Sequence, residues 1–288
     1  MAEKIDGSKL VLRPMTPADI SLGMKLKSYA GWNQIETDWE MFISAGGKNF
    51  VANLDGMDVG TVTSVPYSNH FAWIGMVLVD PSARRKGVGT TLLKRSIDES
   101  LSIGAVRLDA TLDGYELYKT LGFKVEYELI RMIRKSGPVN LENTGHCDQI
   151  RNYELSGVIA YDSPVFGAER SIILKSLYKR NPEYAICCSG KGELEGYCMG
   201  RSGSNFEQIG PVIAEDDIIA QELTIKALTK CREADVVIDA FVDNPGWTSF
   251  LKKIGFIEQR KFIRMCLGEL KHPGLTGKQY AIAGPEIG

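Results

Sequence analysis

Two stretches of the chain spell the same architecture in succession. Ile74-Gly75-Met76-Val77-Leu78-Val79-Asp80 is matched by Ile209-Gly210-Pro211-Val212-Ile213-Ala214-Glu215 at an offset of 135 residues. Leu121-Gly122-Phe123 and Ile130-Arg131-Met132 recur as Ile254-Gly255-Phe256 and Ile263-Arg264-Met265 at an offset of 133. A nearly constant offset over anchors this far apart reports a duplicated unit. Each unit then has about half of 288 residues, an ordinary domain size.

Each copy reads as an apolar β-rich run, an amphipathic helix (88–101 and 218–231), a second apolar run (106–110 and 236–242), a short helix ending at Gly-Phe, and a final strand. Gly122 and Gly255 fit left-handed helix caps, since glycine takes that conformation without a Cβ penalty. The polar stretch 135–145, with Gly137, Pro138 and Gly145, reads as the linker, dividing the chain into domains 1–138 and 139–288. The expected class is α/β, a mixed sheet with flanking helices, built twice.

Charge narrows the partners. With 34 Lys+Arg against 36 Asp+Glu the net charge is -2, leaving no cationic excess to hold a phosphate polymer, so nucleic acid is not expected. The longest apolar run, 71–79, is nine residues, whereas a bilayer helix needs about 20, so no membrane span is expected. The first residues lack a cationic segment followed by an apolar core, and a cytoplasmic location is the expectation. Six cysteines form no C-x-x-C pair, and His70, His146 and His272 do not complete a zinc pattern; reduced, buried thiols and no metal are expected.

One loop carries chemistry. Val79-Asp-Pro-Ser-Ala-Arg84-Arg85-Lys86-Gly87-Val88-Gly89-Thr90 follows an apolar strand and opens an amphipathic helix. Such a junction aims unpaired backbone N–H groups and the positive end of a helix dipole at one spot, and glycines let an anion approach the main chain. Arg84, Arg85 and Lys86 add cationic charge. A dinucleotide fingerprint would need glycine where Leu92 stands, and no G-x-x-x-x-G-K-[ST] occurs.

Val79, Pro81, Arg84, Gly87 and Gly89 meet every fixed position of V-x-P-x-x-[RQ]-x-x-G-x-[GA], and Leu117-Tyr118-Lys119-Thr120-Leu121-Gly122-Phe123 follows as L-Y-x-x-L-G-F. With these two blocks in order, the chain resembles the GNAT superfamily of N-acetyltransferases. The segments 30–34, 108–111 and 280–288 look like a two-domain subfamily with a second, acetyltransferase-like C-terminal domain. The resemblance implies a tandem GNAT fold with acetyl-CoA as co-substrate and a small-molecule or peptide amine as acceptor. Its pantetheine arm would lie between two splayed strands, paired with Val77 and Val79, its phosphates on Arg84 to Thr90. A backbone N–H of Val77 or Leu78 would hold the thioester oxygen as it gains charge, and Tyr118 would stand near the departing sulfur. Many relatives carry an asparagine on the pantetheine where this chain has Thr111, and many carry a glutamate in or near the strand 73–79, which here has no carboxylate.

An alkylamine has a pKa of about 10.4, so something must remove its proton near neutrality. Glu36, Asp38, His70 and Asp113 qualify by type. Trp32, Asn33 and Gln34, with Trp39, lie where the superfamily covers the acceptor and are expected to bind it; the alternative makes the indoles core anchors and the amides caps. In the second copy, Ile219, Glu222 and Thr224 stand where Arg84, Gly87 and Gly89 stand in the first, and Leu251 stands opposite Tyr118. That copy is read as a degenerate scaffold. Direct transfer is expected, since no cysteine is paired with a histidine; the rival readings are a non-catalytic acyl-CoA-binding module and a partner-binding protein. The sequence leaves the oligomeric state open.

Overall fold

The computed structural model describes residues 2–5, 8–138, 147–231 and 233–288. The first half contains β1 (Ala2–Ile5), β2 (Ser8–Pro14), α1 (Ile20–Tyr29), α2 (Glu36–Ser44), β3 (Phe50–Leu54), β4 (Met57–Tyr67), β5 (Phe71–Val79), α3 (Val88–Ser100), β6 (Ala105–Ala110), α4 (Leu112–Thr120) and β7 (Lys124–Arg134). The second contains β8 (Cys147–Gln149), α5 (Leu155–Phe166), α6 (Ser171–Arg180), β9 (Ile186–Gly190), β10 (Glu193–Arg201), β11 (Glu207–Ala214), α7 (Asp217–Leu228), β12 (Val236–Phe241), α8 (Pro245–Lys253), β13 (Ile257–Leu267) and β14 (Gln279–Ala281). The α/β class and the repeated order are as the sequence predicts: β5-α3-β6-α4-β7 recurs as β11-α7-β12-α8-β13. Most of the linker assigned to 135–145, and His146, fall outside the described residues.

The described strands form one 14-stranded sheet in the order β1-β2-β3-β4-β5-β6-β13-β7-β12-β14-β11-β10-β9-β8. The order exposes an exchange. β13, from the second half, lies between β6 and β7 of the first, while β7 pairs with β12 of the second. Each exchanged strand is locked by a buried ion pair to the strand facing it. Arg264 sits opposite Asp109 and grips both its carboxylate oxygens at 2.8 Å; Arg131 sits opposite Asp239 and does the same at 2.6 and 2.7 Å. The repeated Ile-Arg-Met is therefore a registration device: its arginines bond the other copy and its methionines, Met132 and Met265, are fully buried in that copy's core.

Helices pack on both faces of the sheet. On one side, α3 and α4 close the first half's own core and α7 and α8 close the second's. On the other, residues of α1, α2, α5 and α6 share a single cluster with Trp73, Met76 and Leu78 of β5. Strands covered on both faces need no polar alternation, which is why 71–79 reads as one apolar run.

The cysteines depart from expectation at one pair. Cys147 and Cys188 face each other across β8 and β9 with Cα atoms 4.2 Å apart and form a disulfide, so they are not reduced thiols. Their 41-residue separation gave no local spacing signal. A Glu222 carboxylate oxygen lies within 4.8 Å of both sulfurs.

Candidate active site

Asp80, with its carboxylate accepting from the Ser82 N–H, opens a 3-10 turn over Pro81–Ala83. Arg84 then turns back so that its Nε donates to the Val79 carbonyl at 3.2 Å. Arg85 and Gly87 adopt left-handed backbone, φ 61° and 76°, which winds the chain into α3 with Gly87 as N-cap. Gly87 has no side chain to bond the first-turn N–H groups, and those of Val88, Gly89 and Thr90 precede the first helical bond, from Thr91 to Gly87. Arg84, Arg85 and Lys86 are exposed around them. Leu92 and Leu93, fully buried on the opposite side of the helix, hold this end in place at about 1.5–3 kcal/mol each.

The equivalent end of α7 is closed, and the match there departs from the constant offset: Ile219, Glu222 and Thr224, set against Arg84, Gly87 and Gly89 by sequence, lie inside α7, and the place of Gly87 is taken by the residue that caps the helix. Its N-cap, Asp216, accepts from the Ile219 N–H at 3.0 Å and puts a carboxylate where the first half leaves donors open.

The same contrast appears between the strands. β5 and β6 run parallel and pair over Phe71–Trp73 and Ala105–Arg107 only. Within β5 the register against β4 shifts, and Met76 takes φ 50°. The bulge puts Gly75, Met76 and Leu78 on the α1/α2 side and Val77 and Val79 on the α3 side. The Met76 carbonyl accepts from Thr61 Oγ1 at 3.0 Å and so points to β4. A trans peptide opposes its N–H to its carbonyl, so the Val77 N–H points the other way, toward the unpaired edge. In the second half, β11 and β12 also pair briefly, at Glu207–Gln208 and Val236–Val237, but β14 then enters between them.

Tyr118 lies on α4, partly buried against the same core cluster as Val77 and Val79. Its ring packs edge-on against Phe123 with centroids 5.9 Å apart, and Gly114 makes room for it: a Cβ there would lie 2.8 Å from the Tyr118 ring. Burial of the phenol pushes its pKa up to about 12. Thr111 is the N-cap of α4 and its carbonyl accepts from Gly114 and Tyr115. The Leu251 that replaces Tyr118 in the second half is fully buried in that half's core.

Trp32, Asn33 and Gln34 lie on the loop between α1 and α2, against the β10–β11 connection. Asn33 Oδ1 accepts from the Asn205 and Phe206 N–H groups at 2.9 and 3.1 Å, and its Nδ2 donates to the Phe206 carbonyl at 3.0 Å. The Trp32 carbonyl accepts from Ser204 and Asn205. Gln34 is buried with Oε1 unbonded, so it alone of the three keeps an unused buried polar atom. Replacing Asn33 with alanine would strand two backbone N–H groups at this seam. We expect a loss of about 2–4 kcal/mol, read as a lower urea midpoint at unchanged slope. Unaltered stability would return Asn33 to the ligand.

The carboxylates and histidine selected by type divide in the same way. Asp38 is buried, bonded to Arg180, Arg201 and the Ile35 N–H; the two arginines and these hydrogen bonds hold its pKa below the usual range against the opposing cost of burial. His70 stacks on His272 with centroids 3.7 Å apart and bonds the Gly167 carbonyl through Nδ1. Glu36 and Asp113 are exposed.

Comparison with known proteins matches this anatomy. The family model described as Acetyltransferase (GNAT) family matches residues 23–123, and that described as Acetyltransferase (GNAT) domain matches 158–281. Holothin acyltransferase of a Pseudoalteromonas species is 28% identical with all of both chains covered. The uncharacterized N-acetyltransferase YitH of Bacillus subtilis is 24% identical over 92% of this chain and 94% of its own. A solved structure from Pyrococcus horikoshii, described as an acetyltransferase, superposes with a TM-score of 0.81 at 23% identity, covering 97% of this chain and 96% of that one. With a family domain in each half, the chain belongs to the GNAT acetyltransferases, as a tandem enzyme of the N-acetyltransferase class.

Proposed function

We propose that the first half transfers an acetyl group directly from acetyl-CoA to a primary amine, on a small molecule or a peptide, while the second half serves as scaffold. The observation that carries this reading is the asymmetry between two equivalent sites. The donors at the start of α3 are open and ringed by Arg84, Arg85 and Lys86, whereas Asp216 caps α7. The gap beside Val77–Val79 has the outline that β14, an extended strand, fills in the other half.

In this reading the pyrophosphate rests on the N–H groups of Gly87 to Thr90, and the pantetheine runs along Val77, Leu78 and Val79 past Thr111. The Val77 N–H takes the thioester oxygen as it becomes an oxyanion. Tyr118 faces the sulfur. A phenol at about 12 against a thiolate near 8.5 makes complete proton transfer uphill by about 5 kcal/mol, so Tyr118 stabilises the thiolate chiefly as a hydrogen-bond donor.

Calorimetry with coenzyme A, followed by thiol release from acetyl-CoA over an amine panel, tests the reading; because one relative is named for acyl transfer, longer thioesters belong in the panel. No heat with coenzyme A would end it. Tyr118→Phe is expected to lower kcat by about 10- to 100-fold with coenzyme affinity unchanged. A turnover equal to wild type would remove the phenol from the reaction.

A further inference from the structure

We propose that Glu286, brought from the second half's C-terminal segment, accepts the proton that the acceptor's ammonium group must lose in the first half. The proposal rests on reading that half as an N-acetyltransferase, and it identifies the base that β5 itself lacks.

The placement is specific. Gly75 sits at the bulge of β5, two residues and about 7 Å along the strand from Val77. A Cβ on Gly75 would lie 2.8 Å from the Glu286 carbonyl oxygen and 3.0 Å from its Cα and Cβ, so Glu286 occupies the space a side chain at position 75 would take. Both its neighbours are pinned there. Trp73 Nε1 donates to the Pro285 carbonyl at 2.9 Å, and the Tyr67 hydroxyl donates to that of Ile287 at 2.5 Å. The repeat mirrors this, since Gly210, the counterpart of Gly75, is covered just as closely by Ile282 and Ala283. Glu286 lies on the α1/α2 side of β5, opposite α3, the side left for an acceptor when the coenzyme comes from α3.

Its bonding separates it from the buried aspartates. Asp19, Asp38, Asp162 and Asp239 each have both carboxylate oxygens in hydrogen bonds. Glu286 is 4% exposed; Oε1 accepts from Arg201, and among the described residues none donates a hydrogen bond to Oε2. The charged and titratable groups facing it are Arg201 of β10, which also holds Asp38 of α2, Arg260 of β13, and the Tyr67 phenol of β4.

The chemistry balances. Oε2 takes one proton from the R–NH3+ group, and the freed lone pair attacks the thioester carbon, forming C–N as the oxyanion gathers on the Val77 N–H. Collapse breaks C–S with its electron pair on sulfur. The second proton on nitrogen passes to the thiolate, the third stays in the amide, and Glu286 releases its proton to solvent.

The test compares two amines of similar shape on the full chain. Ethylamine is almost wholly ammonium at neutral pH, while 2,2,2-trifluoroethylamine is largely free base. Glu286→Gln preserves an oxygen for Arg201, which also keeps Asp38, so the variant is expected to melt cooperatively as wild type does and to bind coenzyme A within about twofold of it. Thiol release is expected to fall by about 100-fold or more with ethylamine and by less than about threefold with trifluoroethylamine. Equal losses with both amines, or none, overturn the role. If Glu286→Gln fails to fold, Glu286→Asp keeps the charge on Arg201 and withdraws the oxygen, and the same selective loss is expected. Wild-type protein that binds coenzyme A but acetylates no amine of a broad panel would overturn the enzymatic reading itself, and this role with it.

Discussion

Gly87→Asp is expected to retain the fold and lose coenzyme A, with calorimetric affinity down by about 100-fold or more. The variant installs in the first half what Asp216 does in the second, a carboxylate bonding the opening N–H groups of the helix. Charge-assisted bonds to phosphate contribute about 1.5–3 kcal/mol each, so losing one or two, with like-charge repulsion added, reaches the 2.7 kcal/mol that 100-fold requires. The backbone cost is smaller, roughly 1–2 kcal/mol for a side chain at φ 76°, and Asp tolerates this region better than most. Gly87→Asn separates the two effects, because it fits the same conformation without charge; it is expected to bind within about tenfold of wild type. An aspartate variant that binds as tightly as wild type would place the phosphates elsewhere.

Residues 1–138 expressed alone are expected to show no cooperative unfolding transition, and mixing with residues 139–288 is expected to restore one. Without β13, five ladder positions of β6 lose their partners, from Val106 to Ala110. Asp109 becomes a buried carboxylate without Arg264, a loss of about 3–5 kcal/mol, and the core loses Met265, worth a further 2–5 kcal/mol. A domain of this size has about 5–15 kcal/mol in total, so these two losses alone remove most of its stability. Circular dichroism and thermal melting of the separate and mixed pieces provide the measurement. An isolated first half that melts sharply and binds coenzyme A would mean that the exchange is dispensable.

The sequence disclosed what is local. The strand-loop-helix spelling from Val79 to Thr90 is contiguous, and it folds as one turn around Gly87. The Gly-Phe endings are local too: Gly122 and Gly255 take φ 90° and 97°, and the Phe123 and Phe256 N–H groups bond back to Tyr118 and Leu251. The exchange was not legible, because each final strand is equally apolar whichever copy it joins. The repeated arginine was visible as spelling, but its partner aspartates lie 108 and 155 residues away. Asn33 looked like a ligand group for a similar reason: the loop that occupies it is 173 residues distant. Glu286 gave no signal at all, since nothing in Pro-Glu-Ile-Gly says that it lies on Gly75. A glycine amid an apolar strand was the one hint that another backbone comes close.

β14 makes the difference between the two halves hard to undo. A segment tethered to the same chain competes at an effective concentration in the millimolar range or above, so any cofactor entering from solution faces a resident rival that never diffuses away. Placing a cationic turn before α7 would gain nothing while that strand stays, and freeing the strand would gain nothing while Asp216 stays. Neither change is favoured without the other, so the difference between the two halves is latched twice.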